Sequence, residues 1–152
     1  MNKIIISDTS CLIALSKIDK LSLLKDLYQE IIITREVFNE FGGSLPDWIL
    51  ISEVKDRQKQ EELEKFLDTG EASSIALALE INNFTLIIDE LKGRKIAQSL
   101  NIDIIGTIGV ILLANKRGLI KDVIGIMLIL VNKGFRLPDE LINIIIEKYS
   151  RR

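Results

Sequence analysis

The chain contains no histidine. That absence excludes Ser-His-Asp and Cys-His triads, imidazole acid–base catalysis and histidine-bound zinc. Chemistry near neutral pH must then rest on carboxylates, lysines, hydroxyls or a bound metal. One cysteine, Cys11, cannot form an internal disulfide, and the expected location is cytoplasmic. With no base to activate it, Cys11 reads as a small core residue and not as a nucleophile. Two prolines and nine glycines in 152 residues leave little for long loops. Long apolar runs are lacking too. Ile104–Ala114, broken by Thr107, and Val123–Val131 fall well short of the roughly 20 residues that cross a bilayer, so no membrane is expected. The stretch from Met1 to Asp8 has too short an apolar run for a signal peptide and no small-residue cleavage site.

What is present suits one globular domain spanning residues 1–152, with 47% hydrophobic and 28% charged residues. The net charge of −2 conceals an uneven distribution. Residues 1–90 carry 9 Lys/Arg against 17 Asp/Glu, a balance of −8, and residues 91–152 carry 11 against 5, a balance of +6. Such asymmetry hints at contact with nucleic acid, although scattered surface charge would give the same count.

Short β-branched runs alternate with helical patterns along the chain. Lys3–Ser7 reads as a buried strand ending at Asp8. Leucines at helical spacing from Thr9 to Tyr28, interrupted near Ile18-Asp19, give two helices or one broken one. Ile31–Ile33 is a second strand; Thr34 can cap a helix that Gly42-Gly43 ends. Trp48–Ser52 reads as a third strand and the charged stretch Lys55–Phe66 as an exposed helix. Glu71–Ile81 is an alanine-rich helix opened by Asp68-Thr69-Gly70-Glu71. Phe84–Ile88 forms a fourth strand ending at Asp89, followed by a helix over Leu91–Leu100. Ile102–Ile105 is a fifth strand, Gly106 leads a helix to about Arg117, and helices near Ile120–Val131 and Pro138–Tyr149 finish the chain. This alternation predicts an α/β fold, a three-layer α/β/α sandwich around a parallel sheet of four or five strands.

In an open parallel sheet, ligands bind beyond the carboxyl ends of the strands. Asp8 and Asp89 follow the first and fourth strands directly, and Glu71 opens a helix that returns to the same edge. Glu40 lies in the second turn of its helix and leans toward that helix's N-terminus. Four acids from separate segments thus converge. Two carboxylates 4 Å apart repel by roughly 4 kcal/mol at an effective dielectric of 20, so the group must take up protons or a cation. Oxygen ligands without histidine favour Mg²⁺ or Mn²⁺, which activate water and neutralise charge in phosphodiester cleavage. Each acid also has a plainer reading. Asp8 and Asp89 could be helix caps, Glu71 a capping-box partner of Asp68, and Glu40 an exposed helical charge. Glu90 could be a solvated neighbour of Asp89 or replace it as the ligand. Lys92, Arg94 and Lys95 could form a solvated helix face or touch phosphates. Thr9, Ser10 and Thr107 could hydrogen-bond water or phosphate.

At these residues the chain resembles the PIN-domain family. Ile-Ile-Ile-Ser-Asp8-Thr9-Ser10-Cys11-Leu12-Ile13 is similar to the family's first-strand signature. Thr34 to Glu40 resembles the segment ending in its second acid, Glu71 to Ala78 the third, and Thr85 to Glu90 the fourth. Leu67 to Ala72 and Gly106 to Val110 resemble a less characterised branch of archaeal and bacterial PIN proteins. The resemblance implies a metal-dependent ribonuclease, with Asp8, Glu40, Glu71 and Asp89 as catalytic and metal-binding acids. Many such proteins are VapC-like ribonuclease toxins, which implies an RNA substrate, an antitoxin protein as partner and a homodimer. Two departures stand out. The third acid is glutamate where the family often has aspartate, and Ile88 occupies the place of the hydroxyl residue that commonly precedes the fourth acid, which leaves Asp89 and Glu90 both open. A binding module on a degenerate PIN scaffold is the alternative. A phosphate-accepting receiver domain needs an aspartate at the end of its third strand, where this chain offers only Ser52 and Glu53.

Overall fold

The computed structural model describes residues 3–150. Met1, Asn2, Arg151 and Arg152, which the 1–152 boundaries include, lie outside the described residues. The elements follow in the order β1 (Ile4–Ser7), α1 (Thr9–Lys17), α2 (Ser22–Tyr28), β2 (Ile31–Thr34), α3 (Arg35–Phe41), β3 (Ile49–Ser52), α4 (Arg57–Glu64), α5 (Thr69–Glu80), β4 (Phe84–Ile87), α6 (Leu91–Ser99), β5 (Ile104–Ile105), α7 (Thr107–Lys116), α8 (Val123–Asn132) and α9 (Asp139–Tyr149).

Among the described residues all five strands are parallel and lie in the order β3-β2-β1-β4-β5. Isoleucine-rich strands such as Ile4-Ile5-Ile6 and Ile31-Ile32-Ile33 suit this sheet because both of its faces are covered. Alternate side chains enter opposite cores. Ile5, Ile31, Ile33 and Ile87 join one cluster with Leu12, Leu24, Val37, Ile111, Met127 and Ile145, from α1, α2, α3, α7, α8 and α9. Ile6, Leu86 and Ile88 join the other with Leu63, Ile75 and Ala97, from α4, α5 and α6. The sandwich has three layers, as the alternation of elements predicted, and the sheet has five strands.

Helix ends explain where element boundaries differ from the sequence pattern. The helical run from Thr9 breaks because Asp19 takes a left-handed conformation (φ 59°), with Asp19 N–H donating to the Ser16 carbonyl at 3.1 Å and Lys20 N–H to the Leu15 carbonyl at 2.8 Å. This pair of bonds is a Schellman turn. The same turn closes α6 at Asn101 (φ 61°), with Asn101 and Ile102 N–H groups donating to Gln98 and Ala97 at 3.0 Å each. It consumes Ile102, so β5 is reduced to Ile104–Ile105. The expected exposed helix over 55–66 is α4, which buries Gln60 and Leu63 against the rest of the fold. Among the described residues no helix is long and apolar enough to cross a membrane.

Candidate active site

The chain leaves β1 for β2 on one side and later returns to pair β4 on the other, so β1 and β4 flank the switch point of the sheet. The crevice beyond their carboxyl ends is where such sheets bind ligands. Asp8 and Asp89 stand there, and the Asp8 N–H donates to the Ile87 carbonyl at 2.9 Å, extending the ladder. A cleft of about 730 Å³ opens at this edge, lined by Asp8, Glu40, Asp68, Glu71, Asp89 and Glu90 among others.

Asp8 occupies the N-cap position of α1 but makes no capping hydrogen bond. It is 4% exposed, and its Oδ1 is buried with no partner among the described residues, as is Thr9 Oγ1. Burial pushes its carboxyl well above the usual range; the Thr9 N–H opposes this, and the charges of Glu71, Asp68 and Glu40 add to it. A buried carboxylate oxygen without a donor calls for a proton or a cation.

Glu71 lies in the first turn of α5 and is likewise buried. Burial first, and then the charge of Asp68, pushes its carboxyl up to about 7. Asp68 is the N-cap of α5, its Oδ1 accepting the Glu71 N–H at 2.8 Å. Half of the expected capping box is therefore present, and the Glu71 side chain stays with the cleft. Asp68 also lines the cleft, a role that its sequence signal as a helix cap concealed.

Glu40 is exposed on α3, whose start is fixed by Thr34 Oγ1 accepting the Val37 N–H at 3.1 Å. Gly70 brings these parts together. A Cβ placed on it would lie 3.0 Å from Glu40 Oε1, 3.1 Å from Thr9 Oγ1 and 3.2 Å from Asp8 Oδ1. Three oxygens from α3, α1 and the end of β1 thus face a hollow that exists because residue 70 lacks a side chain.

Asp89 is held differently. Its Oδ1 accepts the Thr107 N–H at 2.7 Å, and its Oδ2 accepts hydroxyl hydrogen bonds from Thr107 at 2.6 Å and Ser10 at 2.5 Å. The cap reading therefore applies to Asp89 across the chain, at the N-terminus of α7. Glu90 is the N-cap of α6, accepting the Lys92 N–H at 3.1 Å, and also reaches the cleft. Ser10 lines the cleft through Asp89; Thr107 is fully buried behind it.

The three basic residues proposed for phosphate contact separate. Lys92 and Lys95 are exposed on α6 and do not line the cleft. Arg94 is half-buried and donates from Nη1 to the Ile88 carbonyl at 2.9 Å. The segment Phe135-Arg136-Leu137-Pro138, between α8 and α9, also lines the cleft. No local pattern marked this segment, because a loop acquires such a place only when two helices pack onto the sheet.

The donor set fits a hard divalent cation: carboxylates, a threonine hydroxyl, no imidazole and an orphaned buried oxygen on Asp8. As the side chains lie, no three acidic or thiol groups among the described residues are gathered closely enough to hold one ion. A cation there would have to draw the longer Glu40 and Glu71 side chains inward.

The model of a family described as PIN domain matches residues 4–151. No curated protein and no solved structure matches the chain. PIN domains are generally nucleases, and such nucleases typically use divalent metals. With a match over nearly its whole length, and with acids arrayed along the carboxyl edge of a five-stranded parallel sheet, the chain belongs to the PIN-domain family.

Proposed function

We propose that this protein is a Mg²⁺- or Mn²⁺-dependent endoribonuclease whose metal-binding acids are Asp8, Glu40, Glu71 and Asp89, with Asp68 beside them. The observation that carries this reading is Asp8 itself. It sits at a capping position without capping, buried, with an unpartnered oxygen directed at the hollow over Gly70. A divalent cation, when bound, supplies Lewis acidity to water and neutralises charge on the phosphoryl oxygens. Asp8 and Glu71, both buried at the cleft, would hold it. Glu40, exposed at the cleft, would bind the metal or accept a hydrogen bond from the attacking water and orient it. Asp89, fixed by Ser10 and Thr107, sets the near side of the site. Lys92 and Lys95 lie outside the cleft and offer phosphate contacts to more distant parts of an RNA strand.

The test is cleavage of labelled RNA by the purified full chain, with chelator and with added Mg²⁺ or Mn²⁺. Metal-dependent cleavage is expected, and Asp8→Asn should reduce it by more than the roughly 10–100-fold typical of losing an outer-shell partner. Wild-type cleavage by a folded Asp8→Asn protein would sink the assignment. The resemblance to ribonuclease toxins extends the proposal to a toxin role, with an antitoxin protein as partner and a homodimer as the assembly. Growth arrest on expression, absent with Asp8→Asn, would support that role.

One observation favours a second reading, an inactive PIN scaffold that binds nucleic acid or protein. Both oxygens of Asp89 are engaged by Thr107 and Ser10, which leaves less of this carboxylate for a metal. Under this reading the purified protein binds RNA but shows no cleavage with any divalent cation.

A further inference from the structure

An acid-free part of the cleft lining, residues 135–138, begins just after α8 ends. Gly134 (φ 100°) takes the left-handed conformation; its N–H donates to the Val131 carbonyl, and the Phe135 N–H to the Leu130 carbonyl, at 3.0 Å each. This is a further Schellman turn, and it sets where Phe135 leaves α8. Phe135 is half-buried and Arg136 is exposed. Arg136 makes no hydrogen bond or ion pair among the described residues.

The same segment lines a second groove of about 490 Å³, within the roughly 300–1,000 Å³ usual for small-ligand sites. Asp89 and residues 135–138 line both groove and cleft, so the two spaces adjoin along a shared border. Their chemistry differs. Among the described residues Asp89 is the groove's only acid; Ile105, Ile108, Leu112 and Leu141 supply apolar walls, and Arg94 and Arg136 supply two cations. A free phosphate would leave the apolar walls wet. An apolar peptide would leave two guanidinium groups without an anion. A nucleotide has both a flat, largely apolar base and a phosphate.

We infer that this groove seats one unstacked nucleobase of single-stranded RNA beside the phosphate at the acidic cleft. Phe135 is its stacking face, Arg136 grips the adjoining phosphate, and Arg94, which spends one of its five donors on Ile88, offers others to the base edge. This inference rests on the nuclease reading and adds strand selectivity to it. In a duplex the bases are stacked and their edges enclosed, so a paired strand cannot fill the groove without opening.

The test uses the full chain in Ca²⁺, with fluorescent single-stranded RNA, its blunt duplex, and strands carrying one abasic nucleotide at successive positions. Loss of one stacking contact corresponds to about 5- to 140-fold in affinity. Phe135→Ala should weaken single-strand binding by that order, and Phe135→Trp should retain it. The Phe135→Ala penalty should vanish on the strand whose abasic position empties the groove. A variant that merely misfolds would lose affinity for intact and abasic strands alike. Arg136→Ala should flatten the salt dependence by about 0.7 logarithmic units, the value of one phosphate contact on a single strand. Equal Phe135→Ala penalties on every strand, or duplex bound as tightly as single strand, would overturn the inference. The two readings fail separately. RNA cleavage in Mg²⁺ without the Phe135 signature removes the groove and keeps the nuclease; the signature without cleavage removes the nuclease and keeps the groove.

Discussion

Thr107 holds Asp89 twice, its backbone N–H on one carboxylate oxygen at 2.7 Å and its hydroxyl on the other at 2.6 Å. Ser10 adds a third bond from α1. The fourth acid thus ties together three segments that are distant in sequence. Hydrogen bonds to a charged group contribute about 1.5–3 kcal/mol each and are not additive, so Asp89→Ala should destabilise the protein by at least about 2 kcal/mol in chemical denaturation. A stability within about 0.5 kcal/mol of wild type, the range of an ordinary surface substitution, would contradict this role.

Asp8→Asn should do the opposite in a chelating buffer. The substitution keeps the shape, removes a buried charge and relieves its repulsion with Glu71, Asp68 and Glu40. The melting temperature should rise, by about 2–4 °C for each kcal/mol gained in a chain of this size. Adding Mn²⁺ should raise the wild-type midpoint and leave the variant's nearly unchanged, because a ligand stabilises only the state that binds it. A variant that melts below wild type without metal would refute the repulsion argument.

Stability without metal should also depend on pH. The carboxyls of Asp8 and Glu71 titrate higher in the folded protein than in the unfolded chain, Glu71 at about 7. The folded state therefore binds more protons than the unfolded state across this window, and stability falls as pH rises from the ordinary carboxylate range toward about 7. Glu36 and Asp103 are shifted down, and they favour folding as pH rises only through the lower, ordinary carboxylate range. Melting curves in chelator should show the decline above that range, and Glu71→Gln should flatten it. A midpoint that climbs steadily from pH 5 to 7 would contradict the burial of these two acids.

Gly70→Ala is a small change with a specific expected effect. The new Cβ would stand 3.0–3.2 Å from oxygens of Glu40, Thr9 and Asp8, and would crowd the hollow between them. Calorimetry should show weaker Mn²⁺ binding, and RNA cleavage should fall on the order of 10- to 100-fold, the scale of a site displaced by up to about 1 Å. Unchanged affinity and rate would mean that the cation does not use this hollow.

The strands were legible because a parallel sheet buried on both faces demands unbroken runs such as Ile31-Ile32-Ile33. Asp8, Asp89 and Glu71 were legible as site candidates because strand ends and returning helices share one edge. The partners of Asp89 were not, since Ser10 and Thr107 are linked to it only by folding. Asp68 looks in sequence like a helix cap, which it is, and its second position on the cleft wall depends on how α5 lies against α3. Arg94 looks in sequence like its neighbours Lys92 and Lys95, yet only its guanidinium turns back to the Ile88 carbonyl. Phe135 and Arg136 belong to a helix–helix connection without periodicity, so only the packing of α8 and α9 reveals them.

Asp8 and Asp89 follow β1 and β4, and each of these strands has a hydrogen-bonded neighbour on both sides. Residues 135–138 belong to no strand; the turn at Gly134 and the start of α9 bound them, and Phe135 and Leu137 pack against the larger core. The two walls of the cleft therefore differ in how they open. Amides beneath the acids should exchange with solvent only when the whole sheet comes apart, whereas those of residues 135–138 should exchange through small local openings. Opening of that segment alone would widen the cleft while the carboxylates keep their spacing. On the nuclease reading proposed above, a long RNA would then be laid in sideways, with no free end to be threaded.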